Sequence, residues 1–458
     1  MGKYFGTDGV RGVANQDLTP DFAFRLGRCV GARLAAGSSA LARPFVVIGR
    51  DTRRSGPMLE AALTAGLCSV GVDVWLLGVL PTPAVAWIAR RERASAGIMI
   101  SASHNPAPDN GIKIFSSAGF KLPDDEEDAI EALIDAPEDR LPRPTGTLLG
   151  QAELRPDLVD AYEEAVCALI PEGLGGMRVA LDCAHGAAYA VAPRVLRALG
   201  AQISVLGAEP DGDNINAGVG STHMGALIEE VGQSGSELGI AFDGDADRCL
   251  AVDGRGNAVD GDKIMWLCLR HLRAAGRLAS ADVVSTVMSN MGFEEAIAQE
   301  GGQVFRTRVG DRYVLEEMRR RDIRIGGEQS GHVIFLDDNT TGDGLITALR
   351  LLAAVRKAGK PLHDLAAGMP VYPQLLRNVR VQSVAGWQDD AEIASAIRTA
   401  EERLKGVGRL VVRASGTEPL IRVMAEAKDA AMVEEVVSGL IATITRALTG
   451  ADKAAAAH

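Results

Sequence analysis

The chain reads as three similar α/β domains on mixed or parallel sheets, followed by a smaller α+β domain, all around one central cleft. Three observations predict this. A plan of strand, helix, strand, helix, strand recurs three times, its strands are short apolar runs without clean polar alternation, and the last quarter of the chain departs from the plan. Strands of that kind are buried on both faces by helices, as in parallel sheets. A length of 458 residues admits several domains, and 47% hydrophobic with 24% charged residues excludes a disordered or collagen-like chain.

The first repeat runs through Phe45–Gly49, a helix opened by Ser55 with Pro57 just inside it, Val72–Gly78 and Gly97–Ser101. The second uses Arg178–Asp182, Ala201–Leu206 and Leu238–Phe242, and the third Asp282–Thr286, Gln303–Thr307 and Ile323–Gly326, each with helices between. The Pro-, Gly- and charge-rich stretch Pro137–Pro156 and the turn Asp253–Asn257 act as separators. The fourth segment reads strand (Asn378–Val381), helix (Asp389–Leu404), strand (Arg409–Arg413), loop, strand (Pro419–Ala425), helix (Asp429–Leu448). The expected domains are therefore 1–150, 151–255, 256–369 and 370–450, with 451–458 as a disordered tail.

A formal net charge of −12 argues against nucleic acid and anionic membranes as partners, yet leaves room for a small anionic substrate held by local basic residues. The six cysteines show no CxxC pairing and read as small buried hydrophobes in a reducing compartment. The N-terminus lacks an apolar signal core, and the longest uncharged run, Val74–Ala89, is broken by Pro81 and Pro83. That run falls short of the ~20 residues of a membrane helix, so a cytoplasmic location is expected.

In open α/β sheets ligands gather beyond the carboxyl ends of the strands, and all three repeats place a polar loop there. Ser101-Ala-Ser-His-Asn-Pro106 follows the first, Asp243-Gly-Asp-Ala-Asp-Arg248 the second, and Gly326-Gly-Glu-Gln-Ser-Gly-His332 the third. Three carboxylates in five residues repel one another unless a cation holds them, and an all-oxygen set suits a hard ion such as Mg²⁺. An EF-hand is excluded, because Arg248 and Gly254 stand where that loop needs Gly and Glu. Arg248 is a ready partner for a phosphate or a carboxylate.

Ser103 is the candidate nucleophile, crowded by His104, Asn105 and Pro106, in a loop unlike the GxSxG elbow of hydrolases. Lys113, on a short strand after a tight turn, reads as an anion contact, a general acid/base or a plain surface lysine. Glu328 and Ser330 suit sugar hydroxyls or an amine, and His332 reads either as a general base or as a turn-capping side chain. In the fourth segment Arg413-Ala-Ser-Gly-Thr-Glu-Pro419 with Arg422 combines a backbone nest with two guanidinium forks, a phosphate clamp without the Walker ending. A serine nucleophile, a Mg²⁺ triad, a hydroxyl-reading loop and a clamp together point to phosphoryl transfer on a phosphorylated polyol.

These motifs, with Tyr4-Phe-Gly-Thr-Asp-Gly-Val-Arg-Gly12, Asp109-Asn-Gly-Ile-Lys113 and Asn339-Thr-Thr-Gly-Asp-Gly344, stand in the order in which the α-D-phosphohexomutase superfamily carries them. The resemblance covers essentially the whole chain. The wording of the Ser101 and Gly327 loops is most similar to the glucosamine branch, although Ala414 stands where that branch usually has Pro, and Val10 where it often has Ile.

The resemblance implies an isomerase that interconverts glucosamine 6-phosphate and glucosamine 1-phosphate through glucosamine 1,6-bisphosphate, on the route to UDP-N-acetylglucosamine and cell-wall precursors. It implies that Ser103 is carried as phosphoserine and joins Asp243, Asp245 and Asp247 around Mg²⁺. It makes Arg11, His104, Lys113 and His332 the acid/base or electrostatic candidates, and Arg248, Glu328 and Ser330 the sugar-phosphate contacts. Arg413, Ser415, Gly416, Thr417 and Arg422 become the phosphate-binding loop. A phosphosugar is the expected partner, homodimerisation is left open, and a mutase acting on glucose or mannose phosphates is the alternative.

Overall fold

A computed structural model describes residues 2–6, 8–37, 43–381, 383–414 and 419–449. The expected tail 451–458 and the clamp candidates Ser415, Gly416 and Thr417 lie outside the described residues. The chain forms two compact units, Met1–Thr286 with Phe305–Ala367, and Val287–Val304 with Gly368–His458.

The first sheet has six strands, β1 (Val10–Val13), β2 (Phe45–Arg50), β3 (Asp73–Val79), β4 (Ala96–Ile100), β5 (Asp109–Ser116) and β6 (Ala152–Leu154), in the order β1-β5-β4-β2-β3-β6. Its middle is parallel, but β5 runs antiparallel to both β4 and β1. The helices are α1 (Pro20–Gly37), α2 (Gly56–Cys68), α3 (Thr82–Glu92) and α4 (Asp124–Ile134), and Leu26, Val46, Ile48, Leu63 and Ile98 are fully buried in the core between helices and sheet.

After α5 (Asp157–Cys167), the second sheet contains β7 (Arg178–Asp182), β8 (Gln202–Leu206), β9 (Leu238–Phe242), β10 (Cys249–Asp253) and β11 (Ala258–Val259), with α6 (Val191–Ala198) and α7 (Gly225–Ser234). Strand order is β11-β10-β9-β7-β8, parallel from β9 to β8 and antiparallel at β9/β10 and β10/β11. The turn Asp253–Asn257 is the tip of the β10/β11 hairpin.

The third sheet follows α8 (Gly261–Ala274) and has the order β13-β12-β14-β15, from β12 (Val283–Thr286), β13 (Val304–Thr307), β14 (Ile325–Gly327) and β15 (Val333–Phe335). Its helices are α10 (Asp311–Arg321), α11 (Gly344–Ala358) and α12 (Leu362–Ala366), while α9 (Met291–Gln299) lies between β12 and β13 along the chain. Helix α9 belongs to the second unit, where Met291 N donates to Glu426 Oε1 at 2.7 Å and Asn290 Nδ2 to Tyr372 O at 2.9 Å. That unit also holds the antiparallel sheet β16-β18-β17, from β16 (Gln374–Arg380), β17 (Gly408–Ala414) and β18 (Leu420–Ala427). Helices α13 (Ala391–Leu404) and α14 (Ala430–Thr449) complete it around Ile393, Ile421, Val423, Val437 and Ile444.

One regularity positions the site. In each of the three larger sheets the polar loop is a hairpin connection, joining β4 to β5, β9 to β10 and β14 to β15 antiparallel. Loops of this length can turn a chain back but cannot cross over to a parallel strand, so the sheets are mixed. All six cysteines are free thiols, four of them buried, and burial raises every buried one. No helix among the described residues is long and apolar enough to cross a membrane.

Candidate active site

The serine loop is held from behind. Ser103 sits in the left-handed region (φ 53°) and is only 2% exposed. Such a backbone costs roughly 1–2 kcal/mol for an L-residue, and the surroundings supply the restraint. Ser103 N donates to Ser101 Oγ at 3.0 Å, and Ser101 Oγ donates to Asp51 Oδ2 at 2.5 Å. The fully buried Arg53 directs Nε to Asp51, Nη1 to the carbonyls of Pro106 and Asp109, and Nη2 to those of Ser103 and Asn105. All five guanidinium donors are thereby used. Asn216 Nδ2, from the segment after β8, donates to Ser103 O at 2.9 Å and Asn105 O at 3.1 Å.

The Ser103 hydroxyl points at the acidic loop and donates to Asp243 Oδ2 at 2.6 Å. Gly244 makes the approach possible, since a Cβ there would lie 2.4 Å from Ser103 O. Asp243, Asp245 and Asp247 are all buried, with ligand oxygens within 4.8 Å of one another. Burial, then Asp247 and Asp245, push Asp243 well above the usual carboxylate range. Burial acts on Asp245 in the same sense, but the Lys113 ammonium 2.8 Å away outweighs it and holds this carboxyl low. Asp245 Oδ1 and Asp247 Oδ1 are buried without a hydrogen-bond partner among the described residues. Buried carboxylate oxygens without a hydrogen-bond partner, in a cluster this close, fit a hard divalent cation such as Mg²⁺.

Cations surround this cluster. Arg248 Nε lies 4.0 Å from Asp243 Oδ2 and 3.9 Å from Asp247 Oδ1. Lys113 is buried, which excludes the surface-lysine reading: it contacts Asp245, Asp8 at 3.0 Å and Asp247 at 3.6 Å. Burial lowers its affinity for the proton, but these three carboxylates raise it further, so it stays an ammonium. Arg11 pairs with Asp8 at the start of β1. His104 Nδ1 is 3.3 Å from Ser103 Oγ, and burial together with the Arg248 and Arg11 cations lowers it to about 4. His332 is buried, 4.0 Å from Asp247 Oδ2 and 3.7 Å from Asp311 Oδ2. A backbone bridge between Arg248 and His332 joins the acidic loop to the third loop.

In that third loop Glu328 Oε1 accepts from Gly310 N at 3.2 Å, at the start of α10, and Ser330 is exposed. Arg413 and Arg422 belong to the other unit and stand directly opposite each other on β17 and β18. Burial and the Arg422 charge lower Arg413, while Arg422 Nε is buried without a partner among the described residues.

Asp8, Asp51, Arg53, Asn216 and Asp311 are not among the candidates that the sequence motifs single out. Asp51 and Arg53 follow β2 immediately, at a strand's carboxyl end, the one signal that pointed to them. The others owe their place in the site to residues far along the chain, Asp8 to Lys113 and Lys121, Asp311 to Lys121, and Asn216 to the carbonyls of Ser103 and Asn105.

Residues 2–141, 159–256 and 260–372 match the phosphoglucomutase/phosphomannomutase α/β/α domains I, II and III, and residues 376–442 match the C-terminal domain of that family. A phosphoglucosamine mutase of Geobacillus thermodenitrificans is 54% identical over 427 residues, covering 93% of this chain and 95% of that one. One from Bacillus licheniformis is 51% identical over 452 residues, covering 99% and 100%. Among solved structures, a phosphoglucomutase/phosphomannomutase family protein from Burkholderia thailandensis shares the fold with a TM-score of 0.80 at 24% identity over 97% of each chain. Aspergillus fumigatus N-acetylphosphoglucosamine mutase, in complex with GlcNAc-6P and magnesium, does so with a TM-score of 0.64 at 18% identity, covering 96% of this chain and 95% of that one. With all four domains matched in order and half of its residues identical to curated relatives, the chain belongs to the phosphoglucomutase/phosphomannomutase family and groups with its phosphoglucosamine mutases, enzymes of the isomerase class.

Proposed function

We propose that the chain interconverts glucosamine 6-phosphate and glucosamine 1-phosphate, with Ser103 as the phosphoryl carrier and glucosamine 1,6-bisphosphate as the intermediate. The observation that carries this reading is the Ser103 hydroxyl, 2.6 Å from Asp243 inside a buried three-carboxylate cluster. A phosphoryl group on that oxygen would have its charge neutralised by a cation held in the cluster and by Arg248, whose Nε lies 4.0 Å from Asp243 Oδ2. Ser103, Asp243, Asp245 and Asp247 would hold Mg²⁺, which supplies charge neutralisation on the phosphoryl oxygens.

In the first transfer O1 of the sugar attacks phosphorus, the bond from phosphorus to Ser103 Oγ breaks, and the O1 proton passes by way of a base of the site to Ser103 Oγ. The bisphosphate then reverses its orientation. Ser103 Oγ then attacks its 6-phosphoryl group, the bond from phosphorus to O6 breaks, the Oγ proton passes to O6, and glucosamine 1-phosphate remains. Lys113, held as an ammonium, and Arg11 act electrostatically, while His104, held neutral, and His332 are the candidates for moving a proton. Glu328 and Ser330 read the sugar hydroxyls, and Arg413 with Arg422 offers a pair of guanidinium forks for phosphate.

The test is a coupled assay with Mg²⁺, glucosamine 6-phosphate and a trace of glucosamine 1,6-bisphosphate, alongside intact-mass analysis. Turnover stimulated by the bisphosphate, with one phosphate mapped to Ser103, is the expected result. A larger kcat/KM for glucose or mannose 6-phosphate would assign the chain to a neutral sugar instead, and steady release of inorganic phosphate would make it a hydrolase.

A further inference from the structure

An unbroken series of alternating charges runs from the start of α10 to the carboxylate triad. Asp311 Oδ2 lies 2.6 Å from Lys121 Nζ, Lys121 Nζ 2.5 Å from Asp8 Oδ1, Asp8 Oδ2 3.0 Å from Lys113 Nζ, and Lys113 Nζ 2.8 Å from Asp245 Oδ2. Asp8 is the bridge, giving one oxygen to each lysine, with Arg11 beside it. The backbone is built to bring it there. Strand β1 pairs with β5 from Val10↔Ile112 onward, and at the preceding Gly9 (φ 81°) a Cβ would stand 2.3 Å from Ile112 O and 3.1 Å from Lys113 Cα. Only a glycine lets the Asp8 segment lie this close to Lys113.

The far end of the series explains an asymmetry in the triad. Asp245 Oδ2 accepts from both Lys113 Nζ and Thr82 Oγ1, at 2.8 and 2.6 Å, while its Oδ1 has no partner among the described residues. A carboxylate held by one oxygen presents the other at a fixed angle, as outer-shell partners do for metal ligands. Lys113 also stands 3.6 Å from Asp247 Oδ2. Released from Asp8, its ammonium would settle between two of the three ligands and compete with the cation.

We propose that Asp8, itself held by Lys121, is a positioning residue of the metal site, drawing the Lys113 ammonium to one edge of the triad so that Asp245 and Asp247 keep oxygens free for a divalent cation. The proposal rests on the reading of the triad as a metal site. It separates from plain electrostatics by sign. Lys121→Met removes a positive charge near the triad, so charge alone predicts tighter cation binding, whereas loss of the Asp8 anchor predicts weaker binding.

The experiment measures Mn²⁺ binding to the full chain by electron paramagnetic resonance and calorimetry, without sugar, for wild type, Asp8→Asn, Lys121→Met and Lys121→Arg. The expected result is a Kd raised roughly tenfold in Asp8→Asn and in Lys121→Met, with Lys121→Arg, which keeps charge and donors, restoring most of the loss. At limiting Mg²⁺ turnover should fall, and saturating Mg²⁺ should restore most of it, with KM for the sugar little changed. A Lys121→Met protein that folds and binds Mn²⁺ as tightly as wild type, or more tightly, overturns the proposal even if Asp8→Asn fails to fold. No Mn²⁺ binding by the wild-type chain would overturn the metal reading and the proposal with it.

Discussion

Ser103 Oγ donates to Asp243 Oδ2 at 2.6 Å, across 140 positions of sequence and between the hairpin loops of two different sheets. The contact ties the proposed nucleophile to the anionic cluster in one buried place, and the proposed chemistry rests on that pairing. Replacing Ser103 by Ala should lower isomerisation by at least roughly 10³-fold and remove the phosphate from the intact mass, with sugar binding retained. Ser103→Gly, which accepts φ 53° without strain, must behave alike. Retained turnover in either variant would move the nucleophile elsewhere.

Chelation should abolish turnover, and Mg²⁺ should restore it. Asp245→Ala removes an orphaned oxygen and strips Lys113 of its nearest counter-charge, so both Mn²⁺ affinity and thermal stability should fall. Breaking a buried pair by removing one partner costs on the order of 3–5 kcal/mol. Calorimetric metal binding equal to wild type would remove Asp245 from the ligand set.

Asn216 holds the serine loop by two carbonyls, and its own φ of 60° makes Gly the clean replacement. Asn216→Gly should cut kcat by roughly tenfold, because a displaced nucleophile loses alignment faster than the protein loses stability. Unchanged kcat with a lowered Tm would reduce Asn216 to a scaffold role.

Arg413 and Arg422 face each other across β17/β18 at a repulsive cost that an anion relieves. Inorganic phosphate should therefore raise the Tm of the wild-type chain more than that of Arg422→Ala. With sugar phosphates the same variant should raise KM and lower kcat, by roughly 10–100-fold in kcat/KM for a lost charge-assisted hydrogen bond. An effect on neither quantity would leave the two arginines structural.

Asp343 carries a pH signature. Burial lifts its pKa from 3.8 to about 6, against hydrogen bonds from Ile346 N, Asn339 Nδ2 and Tyr162 Oη that pull it down. The folded chain then holds this proton more tightly than the unfolded one, so its contribution to stability is complete below about pH 4, declines as pH rises to about 6, and is flat above. Asp343→Asn should gain stability relative to wild type over that rise, by a few kcal/mol at most. Denaturant titrations at several pH values that show a constant difference would contradict this.

The three polar loops, the serine, the acidic triad and the succession of elements were legible in the sequence, because hydropathy runs, turn residues and clustered like charges are local properties. Helix Ala391–Leu404 and strands Gly408–Ala414 and Leu420–Ala427 fall within two residues of where local pattern puts them. The tertiary structure alone decided that each loop closes an antiparallel hairpin, and that β1, four residues long, completes the first sheet. It also decided which charges matter. Lys113 reads as readily for a surface lysine as for an active one until Asp8 and Asp245, 105 positions before and 132 after it, are seen to share its ammonium. Asn216 and Lys121 carry no local signal, and Arg53 only its place beyond the end of β2, because a charged or amide group takes its role from the partners that burial forces on it, and those partners are chosen by the fold.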